Sequence, residues 1–102
     1  MLKPILPDPE SLSLQQLVAQ MIVVRTTGHL FDHEIEYPAW EATQAQMQHY
    51  ITDLGIGGVI LLGGSGAEVA LRCQMLQAMA DIPLFMAADI EEGVGQRFSG
   101  AT

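Results

Sequence analysis

A chain of 102 residues is enough for one modest domain, 1–102, and too short for two. Its 49% hydrophobic content excludes a disordered chain, and a formal charge of −8 argues against partners that need clustered Lys and Arg, namely nucleic acid and anionic membrane surfaces. No apolar run approaches the roughly twenty residues that span a bilayer. Pro4, Pro7, Asp8, Pro9 and Glu10 interrupt any secretory-signal pattern, so the expected location is cytoplasmic.

After a proline-rich lead-in, Ser13 and Gln16 have capping-box spacing, and Leu14, Leu17, Val18 and Met21 follow at helical intervals, which predicts a helix over Ser13 to Gln20. Met21 to Thr26 is a β-branched run of the kind found in strands buried on both faces. From Thr27 to Trp40 no periodicity holds, and a long connection over the strand's C-terminal end is expected. A second capping box, Thr43 with Gln46, opens a helix with Met47, Tyr50, Ile51 and Leu54 on its apolar face, and Gly55 ends it.

Val59 to Leu62 is the second predicted strand, followed by the Gly63-Gly64-Ser65-Gly66 turn. Ser65 and Glu68 cap a third helix that carries Val69, Cys73, Leu76 and Ala80 on one face. Ile82-Pro83 breaks that helix, and Leu84 to Ala88 is the third strand. Cys73 has no partner for an internal disulfide and reads as a small buried hydrophobe, while Met47, Met75 and Met79 read as core filler. Helix, strand, helix, strand, helix, strand implies two crossover units and an α/β fold with a parallel sheet. Three parallel strands alone leave both sheet edges open, so further chain is expected to cover them.

The third strand leads into Asp89-Ile90-Glu91-Glu92-Gly93-Val94-Gly95-Gln96-Arg97-Phe98. A carboxylate at the C-terminal tip of a strand lies where α/β proteins place their chemistry, and reads either as a ligand-binding group or as a turn cap. Adjacent Glu91 and Glu92 point in different directions in any regular geometry, so they do not make a paired-carboxylate engine. Gly93 and Gly95 permit the loop's backbone angles.

Taken together, Leu12 to Met21, Gly57 to Leu62, Ile82 to Glu91 and Gln96-Arg97-Phe98 resemble, in order and spacing, the N-terminal barrel domain of glycoside hydrolase family 3. That family includes β-N-acetylhexosaminidases and β-glucosidases. The resemblance implies that the chain supplies the first three strands of a (β/α)8 barrel, which takes about 250 residues. It implies that Asp89 accepts hydrogen bonds from sugar hydroxyls and that Arg97 positions the same ring, with Glu91, Gly93 and Gln96 supporting the loop. It also implies a retaining mechanism whose nucleophile and acid/base lie on later segments, so that no catalytic residue is assigned here and the remainder of the barrel is an expected partner. Glu92, Gly93 and Val94 depart from the Gly-Gly-Arg that usually follows the family's Asp-x-Glu.

Two readings compete with it. The Gly63 to Gly66 turn can hold a phosphate on helix amides in a doubly wound module, although it lacks a dinucleotide fingerprint and a phosphate-loop lysine, and a tight connection is favoured. A non-catalytic assembly module pairing through its open edges is the other. His29, His33 and Glu34 fit no zinc spacing and read as solvated loop residues; no metal or cofactor is expected.

Overall fold

The structure, a computed structural model, describes residues 6–88 and 99–100. Three helix-strand units follow one another: α1 (Leu14–Gln20) and β1 (Val23–Thr27), α2 (Gln44–Gln48) and β2 (Gly58–Leu62), α3 (Gly66–Met79) and β3 (Phe85–Ala87). The strands form one parallel sheet in the order β1-β2-β3, with Val23 beside Gly58, Thr27 beside Leu62 and Ile60 beside Ala87. The α/β class and parallel arrangement expected from the sequence are therefore what the chain adopts.

All three predicted capping boxes form. Ser13, Thr43 and Ser65 each accept a hydrogen bond from the backbone N–H three residues on, and Gln16, Gln46 and Glu68 return the favour to the cap residue's own N–H. Two orphan donors are satisfied at each helix start, which fixes where the chain turns into the helix. Past Gln48 the second helix widens into a π-helical turn over His49–Leu54 and ends at Gly55, whose φ of 71° lies in the left-handed region that glycine enters without steric cost.

The strands begin and end within two residues of the predicted positions; β1 is shifted toward Thr27 because Ile22 is used as a hinge, its carbonyl accepting from both Gly57 and Gly58 N–H. The core lies between the sheet and the two later helices, with Met47, Val59 and Leu76 wholly enclosed and Ile51, Ile56, Leu61 and Leu84 nearly so. Burying each such side chain contributes roughly 1.5–3 kcal/mol.

Two expectations about packing do not hold. The apolar stripe of α1 faces outward: only Ala19 is buried, and Leu14, Val18 and Met21 are exposed. Met75 is exposed too, so of the three methionines only Met47 is fully enclosed, with Met79 packed against the core's rim. Helical periodicity marks an apolar face but does not say that a partner covers it. Conversely, Arg72 sits one residue before Cys73 on α3 and is 1% exposed, deeper in the core than Cys73 itself.

The connection from Gly28 to Thr43 does lie along the carboxyl end of β1. It folds back so that Ala42 N–H donates to the Arg25 carbonyl and Thr26 Oγ1 donates to the Ala42 carbonyl at 2.7 Å. Buried Glu41 accepts from Tyr37 N–H at 2.7 Å, closing the loop on itself.

Candidate functional site

Because the strands are parallel and in register, Thr27, Leu62 and Ala87 end on the same side of the sheet. Asp89, Glu91, Gly93, Gln96 and Arg97, the residues singled out by sequence, lie outside the described residues. Their flanking residues, Ala88 and Ser99, are described. Ala88 directly follows β3, and Ser99 lies beside the turn after β2, its N–H donating to the Gly64 carbonyl at 3.1 Å and its carbonyl accepting from Gly66 N–H at 2.7 Å. Ala88 and Ser99, the described residues on either side of the motif, thus both lie at the carboxyl end of the sheet.

The same end gathers polar groups from three elements. Gly28 continues β1 by donating its N–H to the Leu62 carbonyl, and a Cβ on Gly28 would stand 2.1 Å from the Gly63 oxygen, so only glycine allows the two chain segments to touch. Gly63 and Gly64 then turn with φ of 71° and 98°. His29, fixed by its own N–H to Thr27 Oγ1 at 3.0 Å, lays its ring against this turn.

His29 Nδ1 lies 3.2 Å from a Glu34 oxygen and 3.5 Å from a Glu68 oxygen. Glu34 comes from a short 3-10 turn, Asp32–Glu34, and Glu68 from the first turn of α3. Glu68 is held by the N–H groups of Ser65 at 3.1 Å and Leu30 at 3.4 Å. The Ser65 N–H foremost, with the Ser65 hydroxyl, Leu30 N–H and His29 assisting against partial desolvation, keeps its carboxyl below the usual range.

His29 and Glu34 are therefore not simply solvated, as their spacing suggested, since they meet at Glu68 from a distant helix. His33 does not join them; it stacks on Phe31 with ring centroids 5.8 Å apart. The set His29, Glu34 and Glu68 is the one group among the described residues whose side chains converge closely enough to hold a metal ion.

Below this surface Arg72 reaches Thr26 Oγ1 with Nη2 at 3.5 Å, and its Nε finds no hydrogen-bond partner among the described residues. Burial pulls its pKa down while the Asp32 carboxylate acts the other way. Its position on α3 falls within the apolar stripe, but a reading that looks only for apolar residues passes over an arginine.

Among the described residues two concavities occur elsewhere: one of about 130 Å³ between α1, the π-helical turn and the end of α3, and one of about 190 Å³ beside β1, lined by Arg25, Trp40, Glu41 and Tyr50 among others. Both are smaller than the roughly 300–1,000 Å³ of typical small-molecule sites.

The phosphate reading of the Gly63 to Gly66 turn meets two obstacles. The amides at the start of α3 are already engaged: Ser65 N–H with Glu68, Gly66 N–H with Ser99 and Glu68 N–H with Ser65 Oγ. A doubly wound sheet also binds its ligand where strand order reverses, and the order β1-β2-β3 contains no reversal. Sequential parallel order is what a strand-helix barrel requires.

Comparison with known families is decisive here: the glycosyl hydrolase family 3 N-terminal domain matches residues 13–102. The chain belongs to glycosyl hydrolase family 3. Comparison with curated proteins returned no match. Family 3 membership places the chain among glycoside hydrolases, with carbohydrate as the substrate class. The match includes all three helix-strand units and the Asp89 to Phe98 motif.

Proposed function

We propose that this chain is the sugar-binding front portion of a family 3 glycosidase acting on β-linked glucosides or N-acetylglucosaminides. The match over residues 13–102 carries the reading. In it β1, β2 and β3 are the first three strands of a (β/α)8 barrel, and further strand-helix units cover the open edge of β3, where Phe85 is 82% exposed, together with the outward apolar face of α1. Asp89 accepts hydrogen bonds from vicinal hydroxyls of the sugar, and Arg97 offers a rigid fork of donors to the same ring. Binding energy placed on these groups orients the anomeric carbon for attack. Glu91, Gly93 and Gln96 shape the loop between them.

Hydrolysis follows the retaining course through a glycosyl-enzyme intermediate, with a carboxylate nucleophile and an acid/base supplied by later strands and loops. The chain of 102 residues then binds sugar without turning it over. The formal charge of −8 disfavours nucleic acid and anionic membrane partners, and the location in this reading is cytoplasmic. Among the described residues no helix is long and apolar enough to cross a membrane.

The test is a saturation-transfer NMR titration with glucose and N-acetylglucosamine, run beside a release assay with the p-nitrophenyl β-glycosides. The reading expects transfer from the wild-type chain, at least a tenfold loss in Asp89→Asn, a smaller loss in Arg97→Lys and no nitrophenol release. Sugar release that disappears in Asp89→Ala would place the catalytic groups inside this chain and overturn the proposal.

A further inference from the structure

The His29, Glu34 and Glu68 side chains are brought together from three separate elements at the mouth of the sheet, and neither the sugar-binding reading nor the family's mechanism uses them. We propose that they form a binding site for a divalent transition cation of the zinc type, which ties the loop after β1 to the first turn of α3.

Two independent observations support the assignment. The first is distance. Zinc binds imidazole nitrogen at about 2.0–2.1 Å and carboxylate oxygen at about 2.0–2.2 Å, so tetrahedral ligand atoms stand about 3.3–3.5 Å apart. His29 Nδ1 lies 3.2 Å from Glu34 and 3.5 Å from Glu68, and all three candidate ligand atoms are within 4.8 Å of one another. The second is that His29 Nδ1 is sealed from solvent yet has no hydrogen-bond partner among the described residues. Its two carboxylate neighbours are close enough to be partners but do not lie in hydrogen-bonding directions. A buried ring nitrogen without a hydrogen bond is costly unless something else uses its lone pair.

The surroundings suit a ligand set. Ser65 N–H and Leu30 N–H each donate to a different Glu68 oxygen, which fixes the carboxylate as outer partners fix the ligands of metal sites. The His29 backbone is anchored on Thr27 Oγ1, and its ring rests on the Gly63 turn, so the imidazole is pre-positioned. With a neutral imidazole the set carries two negative charges, which one dication balances. One nitrogen and two oxygens with an open fourth position favour zinc-type ions over calcium or magnesium, which take six or more oxygens. The role is to fix the loop, since glycoside hydrolysis by paired carboxylates consumes no Lewis acid.

The chelator-treated chain of 102 residues is titrated with Zn2+ by calorimetry, with Mg2+ as the control cation. One Zn2+ per chain, with a Kd in the micromolar range and no heat from Mg2+, is expected. Glu34→Gln and His29→Ala should each weaken Zn2+ at least tenfold. Glu68→Gln should do the same while keeping the helix start, because glutamine also serves at the third position of a capping box. His33→Ala should bind as wild type. Co2+ substituted into the same site should give the strong visible absorption of a four-coordinate ion, which a merely structural role of these residues would not produce. Absence of Zn2+ heat, or unchanged affinity in Glu34→Gln with native far-UV dichroism, overturns the proposal. Glu34 lies on a short surface turn, so that variant decides the matter even if the others fold poorly.

Discussion

The two ends of the sheet are built from the same kinds of residue and use them in opposite ways. At the amino end two glutamines reach across and close contacts. Gln20 donates to the Gly55 carbonyl at 2.9 Å, and Gln77 both donates to the Leu84 carbonyl at 2.7 Å and accepts from Leu84 N–H at 2.8 Å. These clamps hold α1 to the start of β2 and α3 to the start of β3. At the carboxyl end two buried polar atoms are left over: His29 Nδ1 and Arg72 Nε have no hydrogen-bond partner among the described residues, and Glu34 and Glu68 share one imidazole. In strand-helix proteins the first pattern reads as stability and the second as function. Side chains left short of partners cost stability, and they persist where a ligand uses them.

The amino end is the more sensitive of the two to substitution. A Cβ on Gly57 would stand 1.9 Å from the Gln20 carbonyl oxygen, a backbone contact that cannot rotate away. Gly57→Val should therefore cost about 3 kcal/mol or more and lower the thermal midpoint by well over ten degrees, measured by circular dichroism. A near-neutral result would mean that α1 is not docked where the structure places it. Gln77→Ala comes next. Removing both hydrogen bonds to Leu84 leaves its N–H and carbonyl unmatched at a part-buried position, with an expected loss of about 1–3 kcal/mol in urea unfolding.

At the carboxyl end the sign reverses. Arg72→Met keeps the side-chain volume and removes a buried guanidinium short of partners, so it should leave stability unchanged or raise it by about 1 kcal/mol. A large loss would show that the arginine is fully paired. The smallest effect concerns Glu68. Its carboxyl lies below the ordinary value of 4.5, so the folded state holds this proton more weakly than the unfolded state does. Its contribution is fully present above pH 4.5 and fades as pH falls through the lower folded value. In Glu68→Gln the acid limb of the stability curve should be shallower than in wild type, with the two curves separating only above that window.

Much of the fold was legible because its signals are local. Three capping boxes at Ser13, Thr43 and Ser65 and the left-handed stop at Gly55 depend on neighbours within four residues, and each forms as read; the three strands form too, although Val23 of β1 and Phe85 and Ala87 of β3 are exposed where buried runs were expected. What failed was long-range. The outward face of α1 and the exposure of Met75 depend on which surfaces meet, which periodicity does not record. Arg72 occupies a core position because the stripe of α3 passes through it, whatever its charge. His29 and Glu34 looked like solvated loop residues because Glu68, which completes their cluster, belongs to the helix that follows a different strand. Asp89 and Arg97 were legible only as a motif in a recognised order, and the match over residues 13–102 now supports that order.

The most direct test of the division of labour is an amide chemical-shift map of the chain with N-acetylglucosamine. Shifts are expected at Gly28 and His29 and at Gly63 to Gly66, at the carboxyl end, and within the Asp89 to Phe98 motif, with Gly55 to Gly57 and Ala80 to Ile82 unmoved. Shifts concentrated around Gln20, Gly55 and Ala80 instead would put the sugar at the amino end and contradict it.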